Sequence, residues 1–381
     1  MPGKTQRKYV GETMQIHNKL KRPLFFVAEA LPCDYNENDL LMLFQEFYPF
    51  DWNMIVERCK QSHEKDDFLK SVDKKARYKA PSAETFFHEI PAVKTILSQK
   101  FKQQYKASFD ESVRRTKYDE LKKKRDAKNA NIQQRIDKNT ELMQNVEPYY
   151  VDVLIAAYHQ HGITTEGKIE IVTELGKYIC EKSLEFFYKL NDAERNDQVR
   201  MIAFKHLQNS GHYVRLRSKF DGKQKSYMTD KFDFNMTPAD LIKRLEADTI
   251  QNAKTFGMFI SHSFKDADIV KHIIAILNNK GISCYCDWMS DNDFLKRSLV
   301  SDYTKEVLKK RIEQSNAVLF IRTNNSMTGT IPNSPWIAME LEHSEKIGKK
   351  LFCVDLSNDG IELSYTILEH NLSNNEISLL M

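Results

Sequence analysis

The sequence predicts two kinds of structure in one chain: a mostly α-helical region over residues 1–250 and an α/β domain with a parallel sheet over residues 251–381. The first part is rich in charged residues and in amphipathic, helix-forming segments. After Thr255, short apolar runs alternate with amphipathic helices through about a hundred residues. Such alternation is typical of a parallel sheet with helices on both faces.

Length and composition narrow the class of protein. A chain of 381 residues with 41% hydrophobic residues is long enough for two domains and for real cores. Its formal net charge of +4 neither requires nor excludes a nucleic-acid partner. The sequence lacks a run of about 18 apolar residues, so we expect no membrane span, and the basic N-terminus lacks the apolar core of a secretory signal.

The six cysteines are scattered along the chain, and the closest pair is Cys284 and Cys286. This spacing fits neither a disulfide framework nor a zinc site. We therefore expect reduced thiols, a cytoplasmic location and no metal. Because the two residues are separated by one position on a predicted strand, both are interpreted as small residues that face the core.

The helical region begins with aromatic clusters and continues into a strongly basic segment. Asn38 is interpreted as the N-cap of a helix that Pro49 ends. The segment from Lys100 to Lys138 holds 13 Lys and Arg against 6 Asp and Glu. Its few apolar residues predict a long, solvated helix. Shorter apolar helices follow over residues 149–207, the first of them stopped by Gly162.

A basic, aromatic stretch and a connector helix join these helices to the α/β part. The Asp-Gly pair at 221–222 predicts a β-hairpin. Thr237 as N-cap, Pro238 at the first helical position and Asp240 in a capping box predict the start of the connector helix. The domain boundary is placed after this helix, near Gln251.

The strands and helices of the α/β part follow from its hydrophobic patterns. In chain order they are the strand FGMFIS, the helix DADIVKHIIAILNNKG, the strand ISCYCD, the helix KRSLVSDYTKEVLKKRIEQS, the strand AVLFIRT, the helix SPWIAMELEHSEKIGKK and the strand LFCVDL. The residues after Leu356 are too few for another full helix, strand and helix, so we expect one short strand or helix from them.

Polar side chains follow the predicted strands. Residues 261–266 (SHSFKD) come after the first strand, Asp287 and Trp288 after the second, and residues 323–326 (TNNS) after the third. In a parallel sheet with helices on both faces, ligands bind at the carboxyl ends of the strands. These positions are therefore candidates for a binding site.

The helix SPWIAMELEHSEKIGKK carries two glutamates with different expected roles. Trp336 and Glu340 are four residues apart, so the indole and the carboxylate share one face of the helix. Glu342 points well away and can pair with Lys346 as a solvated ion pair. Glu340 is the candidate for chemistry, and Glu342 is expected on the surface.

Four segments, in the same order, resemble TIR (Toll/interleukin-1 receptor) domains. They are GMFISHSFKDAD, which resembles the first strand and loop, GISCYCD, the second strand, IEQSNAVLFIRTNNS, the third strand, and SPWIAMEL, the S-x-W-x-x-x-E-L helix. The resemblance covers about Thr255 to Leu356 and implies a flavodoxin-like fold. The segment from Met289 to Arg297 departs from the family because it lacks the glycine usual there.

The resemblance also implies an activity. Enzymatic TIR domains cleave NAD+ at the nicotinamide–ribose bond with the Glu of the W-x-x-x-E helix, which is Glu340 here. NAD+ is then the substrate, and neither a cofactor nor a metal is implied. A carboxylate near the ribose would stabilise the positive charge that develops there. The substrate-binding residues that the resemblance implies are Ser261, Ser263, Phe264, Asp287, Trp288, Arg297 and Trp336.

The wider family context adds expectations about regulation. TIR enzymes act as effectors whose copies associate through the TIR domain, and those of bacteria commonly serve in defence against phage. The resemblance thus implies an NAD+ hydrolase that is activated by assembly into a homo-oligomer. Whether its product is linear or cyclised ADP-ribose stays open.

Three alternatives stay open at this point. The site residues could be structural, with Ser261 and Asp287 as helix caps, His262 as a structural polar residue and Trp336 as a packing residue. The TIR domain could be a non-catalytic scaffold that signals by homotypic contact. Residues 1–250 could be a sensor or assembly module for a protein trigger, or could bind nucleic acid through their basic segments.

Overall fold

The computed structural model describes residues 3–216, 224–233, 237–247, 250–291, 302–357, 359–361, 363–371 and 376–378. The chain folds into two units, Met1–Asn139 with Gln208–Tyr213, and Thr140–Leu207 with Val214–Met381. Within the described ranges, none of the helices combines the length and the apolar character needed to cross a lipid bilayer.

The first unit is built from helices around an aromatic core. Their bounds are α1 (Lys4–Ala28), α2 (Glu37–Phe47), α3 (Pro49–Ser71), α4 (Ala83–Glu89), α5 (Pro91–Leu97), α6 (Gln99–Ala107) and α7 (Glu111–Thr140). The ring of Phe44 lies 5.1 Å from that of Phe87 and 5.6 Å from that of Tyr48. Removal of these large rings from water stabilises the unit.

The N-cap of α2 is Asn36, so the prediction of Asn38 is wrong. The Asn36 side chain accepts the N–H groups of Asn38 and Asp39, and the Asp39 carboxylate accepts the Asn36 N–H, which completes a capping box. Both asparagines are good cap residues, and the carboxylate at Asp39 decides between them. Pro49 follows the end of α2, as predicted, and is the first residue of α3.

The predicted solvated helix is present as α7, and α6 precedes it after a short break. The Asp110 carboxylate accepts the N–H groups of Ser112 and Val113 at 2.8 and 3.2 Å, which caps the new helix. Along α7 the buried residue is Arg125, whose guanidinium lies 3.9 Å from the centroid of the Tyr48 ring. The other basic side chains of α7 are exposed or half-buried.

The second unit combines helices with a parallel sheet. Its helices are α8 (Val151–Tyr158), α9 (Thr165–Leu175), α10 (Glu181–Ala193), α11 (Asp197–Asn209), α12 (Pro238–Glu246), α13 (Ala267–Asn279), α14 (Asp287–Ser290), α15 (Asp302–Glu313) and α16 (Pro335–Lys346). Its strands are β1 (Phe256–Ser261), β2 (Cys284–Tyr285), β3 (Ser315–Arg322), β4 (Met327–Thr328), β5 (Ile331–Pro332), β6 (Lys350–Asp355), β7 (Thr366–Ile367), β8 (Glu369–Asn371) and β9 (Glu376–Ser378).

Within the described residues, β2, β1, β3, β6 and β7 lie side by side in that order, and every pair is parallel. This is the strand order of flavodoxin-like folds, in which the direction of winding switches between the first and third strands. The predicted fold class is therefore confirmed. Among the described residues after Leu356 there are three short strands rather than the one short element expected. β7 lies at the edge of this sheet, and β8 and β9 pair with each other.

The two faces of the sheet bury different partners. Met258 and Ile260 share a core with Val270 and Ile273 of α13, together with Cys284 and Cys286, which face this core as predicted. Phe259, which lies between Met258 and Ile260 in the chain, belongs to the core on the other side of the sheet. The side-chain period of two along a strand produces this division.

Helices α8–α11 belong to the same unit as the sheet, whereas the predicted boundary at Gln251 separates them from it. Phe256 and Val318, on the sheet, share a hydrophobic core with Leu175 of α9. The ring of Tyr150 lies 5.9 Å from that of Phe256. Hydrophobic periodicity identifies a helix but not the surface on which it packs. A boundary placed where the helical pattern ends therefore differs from the division that the tertiary contacts show.

The connector helix α12 begins as predicted, with Thr237 as N-cap, Pro238 as first residue and Asp240 in a capping box. The hairpin predicted at 221–222 lies outside the described residues.

Candidate functional site

A cavity of about 760 Å³ opens at the carboxyl ends of β1, β2 and β3. This is the place at which doubly wound sheets bind ligands, because the strand order switches between β1 and β3. The predicted site residues that line it are Ser263, Phe264, Asp287, Trp288, Trp336 and Glu340.

Glu340 is carried to the cavity by α16. The Ser334 side chain accepts the Trp336 N–H at 3.2 Å, and Pro335 occupies the first helical position, so the start of α16 is well defined. Glu340 is 8% exposed, and its Oε2 accepts a hydrogen bond from Ser261 Oγ at 2.6 Å. Glu342 is exposed, as predicted. The two glutamates therefore have different environments.

Burial raises the pKa of Glu340 to about 8. Loss of water disfavours the charged form, the nearby Asp287 carboxylate disfavours it further, and the Ser261 hydroxyl opposes both effects. At neutral pH the carboxyl group of the free protein is thus largely protonated. A cation bound in the cavity would favour the ionised form.

The loop after β1 is anchored by a buried carboxylate. Asp266, 6% exposed, accepts hydrogen bonds from Thr323 Oγ1 and Asn325 Nδ2, both at 2.6 Å. These bonds tie the loop to the turn after β3. Phe264 lies in the anchored loop, is 55% exposed and borders the cavity.

His262 holds the indole of Trp288. Its Nδ1 lies 3.0 Å from the carbonyl oxygen of Ile260, and its Nε2 lies 2.9 Å from the indole nitrogen of Trp288. Because a carbonyl only accepts and an indole only donates, Nδ1 carries the proton and Nε2 accepts. Both ring nitrogens are occupied, which favours the structural interpretation of His262.

The same imidazole belongs to a group that could hold a metal. Within the described residues, His262 Nε2, Cys286 Sγ and an Asp287 oxygen lie within 4.8 Å of one another. However, Nε2 already accepts the Trp288 N–H. Burial also raises the pKa of the Cys286 thiol well above its ordinary value, which opposes the thiolate that a metal requires. This donor set does not suit a resident metal ion.

One predicted residue that the structure describes, Ser261, does not line the cavity. Ser261 is 0% exposed and lies beside Glu340, which it contacts through its hydroxyl. Arg297 lies outside the described residues.

Other lining residues lay beyond the reach of the sequence interpretation. Thr304 and Leu308 come from α15, Thr328 is the last residue of β4, and Asn333 follows β5. A usable signal for the β4–β5 hairpin is Gly329, whose φ of +61° favours glycine in a tight turn. The contribution of α15 has no comparable local signal.

Replacing Ser261 with alanine will raise the pKa of Glu340 further, by about one unit, because a hydrogen bond to a carboxylate contributes about 1.5 kcal/mol or more. The carboxyl carbon of Glu340, identified by its loss in Glu340→Gln, can be titrated by NMR. Ser263→Ala is the matched control, since the Ser263 hydroxyl accepts the Lys265 N–H instead. An unchanged titration in Ser261→Ala would contradict the prediction.

Two curated proteins are similar to this chain. Over 378 residues the chain is 47% identical to "Putative cyclic ADP-D-ribose synthase TIR2" of Cytobacillus dafuensis. The aligned region covers 99% of this chain and 98% of that protein. Over 155 residues it is 27% identical to "Probable 3' cyclic ADP-D-ribose synthase ThsB'" of Bacillus cereus (strain MSX-D12), which covers 41% of this chain and 75% of that protein. No protein-family model and no solved structure matches the chain.

Proposed function

This chain belongs to the same family as the TIR2 protein of Cytobacillus dafuensis, and on that premise we propose that it cleaves NAD+ at the nicotinamide–ribose bond and closes the ADP-ribosyl product into cyclic ADP-D-ribose. The observation that carries the proposal is the buried carboxyl group of Glu340 at the border of a cavity with aromatic walls. The names of both relatives support the cyclic product, and the TIR resemblance supports the substrate.

The chemistry needs a stabilised cation rather than a strong acid. When the bond between ribose C1 and the nicotinamide nitrogen breaks, its electron pair neutralises the cationic ring, and nicotinamide leaves uncharged. Positive charge then develops on the ribose, as in glycoside hydrolysis. The ionised Glu340 stabilises this charge, and the buried position of its carboxylate strengthens the interaction.

The substrate itself favours the required protonation state. The pKa of Glu340 is about 8 in the free protein because of its burial. The cationic nicotinamide ring of bound NAD+ lowers this pKa by direct attraction. Binding thus releases a proton and leaves a carboxylate beside the sugar.

The remaining lining residues suit the rest of the dinucleotide. Phe264, Trp288 and Trp336 offer aromatic surfaces for the rings, and Asp287 offers an acceptor for ribose hydroxyls. A nucleophilic atom of the same molecule attacks ribose C1, and one proton is released to the solvent as the cyclic product forms. Attack by water would give linear ADP-ribose.

Turnover in water enriched in ¹⁸O distinguishes these outcomes. The proposal expects nicotinamide and a cyclic product without added ¹⁸O, and it expects Glu340→Gln to form both products far more slowly. Linear ADP-ribose that carries ¹⁸O as the sole initial product would replace the cyclase by a hydrolase. Absence of nicotinamide release at any protein concentration would refute NAD+ cleavage and favour a non-catalytic scaffold.

We further propose that the activity serves antiviral defence and is switched on when copies associate. The support is the similarity to TIR effectors of bacteria. Specific activity is expected to rise with protein concentration in parallel with the mass measured by light scattering. Constant specific activity across that range would contradict activation by assembly.

A further inference from the structure

The segment from Cys284 to Ser290 brings two residues to the cavity from the edge of the sheet. It comprises β2 and α14 and carries Asp287 and Trp288. Among the strands that the structure describes, β2 is at the edge of the sheet and pairs only with β1, so its outer N–H and C=O groups need other partners. The position of the two site residues therefore depends on what holds this segment from outside the sheet.

Gln144 holds the beginning of the segment. Its side-chain Nε2 donates to the Cys284 carbonyl at 2.6 Å, and its Oε1 accepts the Cys284 N–H at 2.9 Å. The carboxamide thus provides one donor and one acceptor, as a neighbouring strand would. Gln144 is 3% exposed, so water does not readily replace these bonds.

Lys177 holds the end of the same segment. Its Nζ donates to the Ser290 carbonyl at 2.6 Å, at the C-terminus of α14, where a cation is favourable. The same ammonium group lies 3.0 Å from Glu174, which is 0% exposed. This ion pair keeps the lysine directed at α14.

The two holding residues are joined to each other through the backbone. The Gln144 N–H donates to the Lys177 carbonyl at 2.9 Å, and the Ile179 N–H donates to the Gln144 carbonyl at 2.8 Å. Gln144 and Tyr178 thus form a parallel β-bridge. The β-bridge between Gln144 and Tyr178 therefore carries both side chains that contact the two ends of the segment.

We propose that Gln144 and Lys177 are positioning residues that set where Asp287 and Trp288 stand in the cavity. The inference rests on the proposed function, because it assigns these two side chains a task in binding NAD+. Asp287 and Trp288 are expected to contact parts of the substrate other than the bond that breaks. Their displacement should weaken ground-state and transition-state binding equally.

The kinetic expectation separates this role from that of Glu340. In Gln144→Leu and in Lys177→Met, the KM for NAD+ will rise about tenfold while kcat stays within about threefold, the pattern of lost uniform binding. Lys177→Arg keeps a donor for Ser290 and should restore much of the affinity. Lys182→Met, on the surface of α10, is the matched control and should behave as wild type, since its partners are Glu147 and Asp152.

Hydrogen exchange measures how firmly Gln144 and Lys177 hold the segment from Cys284 to Ser290, independently of activity. Amide exchange of a peptide spanning residues 282–290 should accelerate in Gln144→Leu and Lys177→Met, while amides of β3 keep their protection. Accelerated local exchange together with the rise in KM supports the proposal. It is overturned by unchanged exchange, by accelerated exchange with unchanged KM, or by loss of protection throughout the sheet. Absence of NAD+ turnover by the wild-type chain would refute the proposed function instead. The exchange rates would still decide whether Gln144 and Lys177 hold the segment.

Discussion

Replacing Glu340 with glutamine will lower the rate of NAD+ cleavage by about a thousandfold, because one well-placed charge-stabilising group contributes on the order of 4 kcal/mol to a transition state. Glutamine preserves the size of the side chain and can still accept the Ser261 hydrogen bond, so the loss falls on the charge. Release of nicotinamide from NAD+ is the measurement.

Glu342→Gln is the matched control for this experiment. Glu342 lies on the same helix, but it is exposed. Its replacement should leave kcat and KM unchanged. Full activity in Glu340→Gln, or an equal loss in both variants, would remove the assigned role.

Glu340→Gln, which lowers activity, should raise the free energy of unfolding at alkaline pH. Because the pKa of Glu340 is raised from 4.5 to about 8 in the folded protein, the folded state binds a proton in that interval that the unfolded state has lost. This stabilisation is complete below about pH 4.5 and is lost as the pH rises through about 8. At about pH 9, the free energy of unfolding of Glu340→Gln should exceed that of wild type by on the order of 5 kcal/mol. Urea titrations at about pH 5 and about pH 9 check the sign.

Isolated residues 251–381 will fail to fold cooperatively, although they contain all the segments that resemble a TIR domain. Removal of α8–α11 takes away helices that share a hydrophobic core with Phe256 and Val318. It also removes Glu174, whose carboxylate lies 2.7 Å from the 1% exposed ammonium group of Lys254. Loss of one partner of a buried ion pair costs about 3 to 5 kcal/mol, a large part of a typical stability of about 5 to 15 kcal/mol.

A fragment of residues 140–381 provides the matched comparison, because it retains α8–α11 and Glu174. Near-ultraviolet circular dichroism and thermal melting should show a cooperative transition for this longer fragment alone. A sharp transition for residues 251–381 would show that the sheet does not need the preceding helices.

Local patterns predict those elements whose causes are local. The strand FGMFIS coincides with β1, and Thr237 with Asp240 forms the predicted capping box, since strand period and cap hydrogen bonds involve residues close in the chain. The prediction of Asn38 as the N-cap of α2 is wrong because Asn36, an equally good cap residue, lies within the same turn. In the site, Trp336 and Glu340 border the same cavity, as their spacing on one helix predicts.

The sequence by itself determined the parallel α/β architecture, the order of its strands along the chain and the helix that presents Glu340. Only the tertiary structure decided that Ser261 donates a hydrogen bond to Glu340 across 79 positions and that Gln144 forms hydrogen bonds with Cys284 across 140 positions. It alone also decided that α8–α11 share a core with the sheet. The physical reason is that periodicity and caps arise within a few residues. Desolvation, charge pairing and edge pairing depend on groups that meet only after the chain has folded.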